Sequence, residues 1–367
     1  MVILLVCSFV VSVVSMVYFI RLARGHATHY GQAKPQRFHS GDVPRLGGVG
    51  ILAGVTVGWM AALVSVTAGF SLNVNVSWTF ALSWVLLLLP AVFGGVYEDV
   101  TQRLSVCYRL ALTATSAGLA CWLLGASVVR LGVPGIDHGL LVMPWVGIAL
   151  AFFAICGLPH AFNIIDGYNG LAGTVALLVC VAIAHVALQV GDRQLAGVVV
   201  CLAGATAGFL FWNYPRGLIF AGDGGAYLWG VVISVASILL VQRHEQVSPW
   251  FPMLLLIYPV WETVFSIYRK LVRGTSPGVA DALHFHQLIY RRIVRGVFHD
   301  DAARHMLMRN NRTSPYLWGF TLLTVVPAVL FWNNASILMI FCVLFIIGYI
   351  VSYMAIIRFK IPRWLRR

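Results

Sequence analysis

The chain has 367 residues, of which 60% are hydrophobic and 10% charged, with a formal net charge of +13 and a mean hydropathy of +0.87. This composition excludes an ordinary soluble globule and leaves no room for a large soluble domain. It reads as a single polytopic membrane unit over 1–367, with the bilayer rather than nucleic acid as its partner.

Eleven apolar runs are each long enough to cross a hydrocarbon layer about 30 Å thick. They cover about 1–20, 46–68, 78–97, 106–126, 140–158, 170–190, 196–212, 218–241, 249–268, 316–333 and 335–357, and the 196–241 region admits another division. The predicted class is therefore an all-α integral membrane protein of about 11 transmembrane helices. The first run has no positive charge before it and is followed by Arg21 and Arg24, which predicts a retained anchor rather than a cleaved signal. In the second, Gly50, Gly54 and Gly58 recur every four residues, a pattern of close helix packing. In the ninth, Pro259 predicts a kink or break, with Glu262 near the inner boundary. The seven cysteines lie within or beside the runs without a CxxC pair and read as small core residues.

Lys and Arg set the orientation. With the N-terminus outside and the C-terminus cytoplasmic, 22 basic residues fall on the inner side, while only Arg130, Arg193 and Arg243 fall outside. The cytoplasmic loops are then about 21–45, 98–105, 159–169, 213–217 and 269–315, and the active site is expected among them. On this topology Glu98, Asp99, Asp166 and Asp223 share the face that carries the basic excess. Carboxylates beside lipid are costly, so acids at span ends are functional candidates. Grouped among cations, they suit a divalent metal and phosphate-bearing substrates.

Each constellation also has an ordinary explanation. Glu98-Asp99 closes the third run and could be a helix-end charge pair answered by Arg103. Asn163-Ile164-Ile165-Asp166-Gly167-Tyr168-Asn169-Gly170 could be an Asx-turn and cap, although a helix beginning there also attracts phosphate. Gly222-Asp223-Gly224-Gly225 is a weak signal alone, but glycines around an acid let backbone approach a ligand. His284-Phe285-His286 is spaced i, i+2, does not share a helix face, and reads as an extended or loop pair. There is no P-loop or dinucleotide-binding context.

Taken in order, from His39-Ser40-Gly41-Asp42-Val43-Pro44-Arg45-Leu46-Gly47-Gly48 to the histidine loop, these motifs resemble those of the polyprenyl-phosphate N-acetylhexosamine-1-phosphate transferases. The resemblance covers nearly the whole chain and looks closest to the branch that starts O-antigen and related glycans. It implies attack by undecaprenyl phosphate on the β-phosphorus of a UDP-amino sugar, with UMP released, in the bacterial inner (cytoplasmic) membrane. The implied cofactor is Mg2+, with Mn2+ as an alternative, and a homodimer is left open. By the same resemblance, Asp223 ligates the metal with Asp166. Glu98, Asp99 and Asp166 form the catalytic group. Asn163, Asn213, Phe220, His284 and His286 contact substrate, Phe220 by stacking on uracil. Arg45, Lys34 and Arg37 are further phosphate-contacting candidates by charge and location alone.

The chain departs from the family pattern at four places. Glu98 stands for the first of paired aspartates, Asn169 for the second aspartate of the turn, Gln287 for a histidine, and Glu262 for an aspartate after the ninth-run proline. These changes fit a sub-branch with a different sugar. Two rival classes remain at this stage: a transporter or flippase, which would place its acids near the midplane, and a non-catalytic scaffold, supported only by Asn169 and Gln287.

Overall fold

The computed structural model describes residues 1–22, 43–67, 74, 76–274, 283–294 and 301–358, and among these it contains helices and no strand. Lys34, Arg37, residues 39–42 and the basic tail after Arg358 lie outside the described residues. The helices are α1 (Val2–Leu22), α2 (Gly47–Thr67), α3 (Trp78–Thr101), α4 (Val106–Leu123), α5 (Pro134–Val142), α6 (Pro144–Ile165) and α7 (Leu171–Gln189). They continue with α8 (Arg193–Asn213), α9 (Gly222–Arg243), α10 (Trp250–Leu255), α11 (Ile257–Val272), α12 (Phe285–Arg292), α13 (Ala302–Leu330) and α14 (Ala335–Ile357). Ten of the described helices are long and apolar enough to cross a membrane.

The ninth run is the one that falls short, because it is divided into α10 and α11 at Leu256 (φ −101°, ψ 5°). Pro259 explains the position. It has no N–H to donate, and its ring crowds the carbonyl four residues back, at Leu255. The break therefore falls three residues ahead of the proline. Other boundaries move as well. The helix of the fifth run, α6, continues to Ile165, so most of the expected 159–169 loop is helical. The tenth run belongs to α13, which begins at Ala302, so Arg304, Arg309 and Arg312 lie on a helix and not in a loop. Residues 285–292 form a further helix within the same expected loop.

The core is built around α9. Its side chains are apolar or small on every face, and a helix without a polar stripe must be surrounded. It packs against α2, α3, α4, α6, α7 and α8. Gly230 lets α6 pass at Pro159, where a Cβ would collide with the backbone. The every-fourth-residue glycines of α2 meet α1, as the spacing predicts: a Cβ on Gly54 would stand 2.6 Å from the Ser8 carbonyl oxygen. The outer faces of α1, α3 and α14 expose large apolar residues such as Val14, Phe93 and Val351. Such a continuous apolar exterior belongs against lipid, and the chain is a multi-pass membrane protein.

Candidate active site

The acidic segments meet at one end of the bundle, where α3 and α6 finish and α2, α4 and α9 begin. Asp99 lies in the last turn of α3 and Asp223 in the first turn of α9, so both stand on helix ends rather than in loops. Asp99 is buried, and its Oδ1 and Oδ2 accept the backbone N–H groups of Asp223 and Gly224, each at 2.9 Å. The N-cap of α9, Ala221, makes no side-chain cap bond. A carboxylate from a neighbouring helix thus satisfies amides that every helix start leaves open, at the end where negative charge is favoured. Gly95 makes the approach feasible, since a Cβ there would stand 2.5 Å from the Gly224 nitrogen.

Asp223 is held on both oxygens. Asn163 Nδ2 donates to Oδ1 at 2.6 Å, while Arg109 Nη1 and the Tyr227 hydroxyl donate to Oδ2 at 3.1 and 3.3 Å. Tyr227 meets the His160 ring edge-on at 5.2 Å, and His160 Nε2 lies 3.1 Å from Thr113 Oγ1. Tyr227 was legible as the residue four positions beyond Asp223 on one helix face. Arg109 comes from another run and His160 from the expected 159–169 loop, and neither carries a local signal.

Asp166 closes α6 and, among the described residues, its carboxylate has no hydrogen-bond partner. Burial and then repulsion from Asp223 push its pKa up to about 7, against the pull of Arg45. Arg45 is brought there by backbone pairing. Phe220 N–H donates to Pro44 O at 2.9 Å, Gly47 N–H to Phe220 O at 2.9 Å and Gly48 N–H to Ala221 O at 2.8 Å. The half-buried Phe220 is fixed in the same pairing.

Other candidates have structural duties. Glu98 Oε2 accepts the Leu104 N–H at 2.8 Å and closes the turn after α3, in which Gln102 adopts φ 52°. Asn213 is buried, with Oδ1 accepting the Gly170 N–H at 2.6 Å and Nδ2 donating to Ile219 O at 2.8 Å. Both ends of its amide brace the Asp166 turn to the segment before α9.

The departures from the family pattern acquire reasons here. Asn169 turns into α13, donating its backbone N–H to Asn310 Oδ1 at 2.8 Å and its Nδ2 to Asn311 Oδ1 at 3.0 Å. Asn311 Nδ2 donates in turn to Pro215 O at 2.6 Å, which fixes the orientation of that amide. A carboxylate at 169 could not donate to Asn311. Gln287 Oε1 accepts the His284 N–H at 3.3 Å and ties the first turn of α12 back to the residue before it.

The histidine pair is only partly the loop expected from its spacing. His284 is extended (φ −63°, ψ 149°) and caps α12, whereas His286 lies inside that helix. Their rings are parallel, 5.4 Å apart with 6° between planes, and His286 meets Tyr168 of the Asp166 turn edge-on at 5.5 Å. The pair therefore stands at the start of α12 beside the acidic turn.

Among the described residues, no three His, Cys, Asp or Glu side chains converge as a protein-only metal cage. Mg2+ does not ask for one, since it is commonly held by one or two carboxylates with substrate phosphates and water. The adjacent Asp166 and Asp223, one without a hydrogen-bond partner and each raising the other's energy, have the donor chemistry for it.

Comparison with known proteins bears on the same segments. The profile described as Glycosyl transferase family 4 matches residues 81–241, from α3 through α9. A Rubrobacter xylanophilus protein named phospho-N-acetylmuramoyl-pentapeptide-transferase is 31% identical over 268 residues, which are 66% of this chain and 74% of that one. The chain belongs to this family. A Bacillus subtilis relative of this transferase, named probable undecaprenyl-phosphate N-acetylglucosaminyl 1-phosphate transferase, is 26% identical over 300 residues, 80% of this chain and 79% of its own. A Mycolicibacterium smegmatis relative, named decaprenyl-phosphate N-acetylglucosaminephosphotransferase, is 23% identical over 343 residues, 87% and 80% of the two chains. The protein is accordingly a phosphosugar transferase, of the polyprenyl-phosphate N-acetylhexosamine-1-phosphate transferase family.

Proposed function

We propose that this enzyme transfers an N-acetylhexosamine 1-phosphate from a UDP-amino sugar to undecaprenyl phosphate, releasing UMP and starting a cell-surface polysaccharide such as O-antigen. The observation that carries the reading is the convergence of Asp99, Asp166 and Asp223 with Arg45 and Arg109, beside the His284–His286 pair. A phosphoryl transfer between two anions needs positioning and charge neutralisation above all. This end of the bundle offers both.

In the proposed reaction an oxygen of the lipid phosphate attacks the sugar-bearing β-phosphorus, and the bond from that phosphorus to the UMP oxygen breaks. A phosphate monoester has its second pKa near 6, on the order of that of a phosphorylated side chain, so the nucleophile is largely dianionic at neutral pH and needs no proton removed. Asp99 then has no call to act as a base, in keeping with both its oxygens being engaged by backbone N–H groups. It orients Asp223. Asp223 and Asp166 would hold Mg2+, or Mn2+ in its place. Such a cation supplies neutralisation of the diphosphate and of the departing UMP. Arg45 and Arg109 supply fixed positive charge to phosphate oxygens, His284 and His286 face the diphosphate, and Phe220 stacks on uracil.

Counting α10 and α11 as one interrupted crossing gives eleven among the described residues. Trp250–Val272 together would span about 34 Å of helix, at roughly 1.5 Å per residue. An odd number agrees with an outside N-terminus, a cytoplasmic C-terminus and a site on the inner face, open sideways to the leaflet that holds the lipid. The bacterial inner membrane is the setting this implies.

The test is UMP release by the purified protein with undecaprenyl phosphate, Mg2+ and a panel of UDP-amino sugars. Release that needs lipid, metal and one donor together is expected and would name the sugar. Release without lipid, or none with any donor, would overturn the assignment.

A further inference from the structure

Behind the histidine pair lies a buried carboxylate that the reaction above does not use. Glu262, on α11, is fully buried. Its Oε1 lies 3.0 Å from His284 Nδ1 and accepts the Phe285 N–H at 3.1 Å, while its Oε2 accepts the Tyr349 hydroxyl at 2.7 Å. An ionised carboxylate only accepts, so His284 Nδ1 carries the proton in this pair. The three donors come from two parts of the chain: the cap and first residue of α12, and the final helix α14. Burying a lone carboxylate is costly, and these bonds are what make this one tolerable. Nε2 of His284 has no hydrogen-bond partner among the described residues, and the side chain retains 8% exposure. Its ring lies parallel to that of His286, which borders the Asp166 turn.

We propose that Glu262 is the positioning residue of the histidine pair: it grips His284 by Nδ1, leaves Nε2 to meet a phosphate oxygen, and is itself fixed by Tyr349 of the last helix. The proposal rests on the transferase reading and deepens it. When a diphosphate binds, the ring stands between its charge and that of Glu262, with Nδ1 fixed by the carboxylate and Nε2 turned toward the phosphate oxygens. A carboxylate that orients a histidine in this way is a small part of a site by contact and a large one by effect. The same arrangement gives α14 a role at the site, since Tyr349 reaches the histidines through one intervening side chain.

The experiment measures UDP binding to the purified full-length protein with Mg2+ by calorimetry, with thermal midpoints recorded alongside. The variants are Glu262→Gln, Tyr349→Phe and His284→Ala, with the two double variants that include His284→Ala. Glu262→Gln keeps the side-chain shape and an acceptor while removing the charge, and should weaken UDP binding about tenfold, at the lower end of such indirect effects. Tyr349→Phe should weaken it about threefold, roughly the share of one hydrogen bond, and lower the midpoint because the buried carboxylate loses a donor. Neither should weaken it further once His284 is alanine. Independent, multiplying losses would overturn the proposal and assign Glu262 to packing alone, as would wild-type affinity in Glu262→Gln. Failure of the wild-type protein to bind UDP at all would instead overturn the transferase reading on which this rests.

Discussion

Asp99 caps the helix that carries Asp223: two acids 124 positions apart are joined because the side chain of one accepts the backbone N–H of the other at 2.9 Å. The carboxylate of Asp223 is thereby set at a defined height above the bundle, with Asn163 and Arg109 fixing its rotation.

Asp99→Asn should damage both stability and turnover. An amide can accept one of the two backbone N–H groups, but it would present its own N–H to the other. An unmet buried donor costs about 1–3 kcal/mol, so the thermal midpoint should fall by several degrees and UMP release by more than tenfold. Asp99→Glu should not restore it, since the longer side chain must displace the Gly95–Gly224 approach. Wild-type turnover in either variant would contradict the capping role.

Asp223→Asn and Asp166→Asn should both remove chemistry, and Asp166→Asn should do so apart from folding. Each removes a proposed metal-facing charge without changing shape, and loss of a charge-stabilising group commonly costs on the order of 100-fold or more in turnover. Asp166→Asn should leave expression near wild type and even raise the midpoint at neutral pH by relieving repulsion with Asp223, whereas Asp223→Asn should also lower the midpoint, since its amide N–H would face a donor and Arg109 would lose its partner. UMP release is the measurement, compared at saturating Mg2+.

The raised pKa of Asp166 gives a pH dependence with a definite sign. Its folded-state value lies near 7 against an ordinary 3.8, so the metal-free fold prefers the protonated form. Its contribution to stability is complete below about pH 4 and is lost as pH rises through about 7. Metal-free protein should therefore lose more thermal stability between pH 5 and pH 8 than the Asp166→Asn variant does. A cation needs the ionised form, so apparent Mg2+ affinity should climb about tenfold per pH unit below 7 and level off above it. A Mg2+ affinity independent of pH over this range would exclude Asp166 as a ligand.

Asn169→Asp would bring the turn closer to the usual family pattern, and here it should be harmful. Asn311 presents an oxygen to residue 169 and uses its nitrogen on Pro215, so a carboxylate would face an acceptor in a buried setting. A fall in thermal midpoint is expected, together with reduced turnover. Replacing Asn311 by Ser as well should recover part of both, and a neutral effect of Asn169→Asp would show that the turn reorganises freely.

Much of this was written in local sequence. Hydrophobic runs of membrane-spanning length are imposed by bilayer thickness and by the need to satisfy backbone groups internally, so ten of eleven runs emerged as long helices and the proline-bearing one emerged broken. The glycine stripe of α2 and the acids at run ends were legible for the same reason: each is a costly or permissive residue type whose position has a local cause. What only the tertiary structure decided is the division of labour among the polar residues. Asp99 as a cap in trans, Arg109 and Tyr227 on Asp223, Asn169 and Asn213 as braces, and Glu262 behind His284 all depend on partners from distant helices. A hydrogen bond is set by the direction and distance of two groups in space, and one-dimensional spacing carries that information only within a single helix.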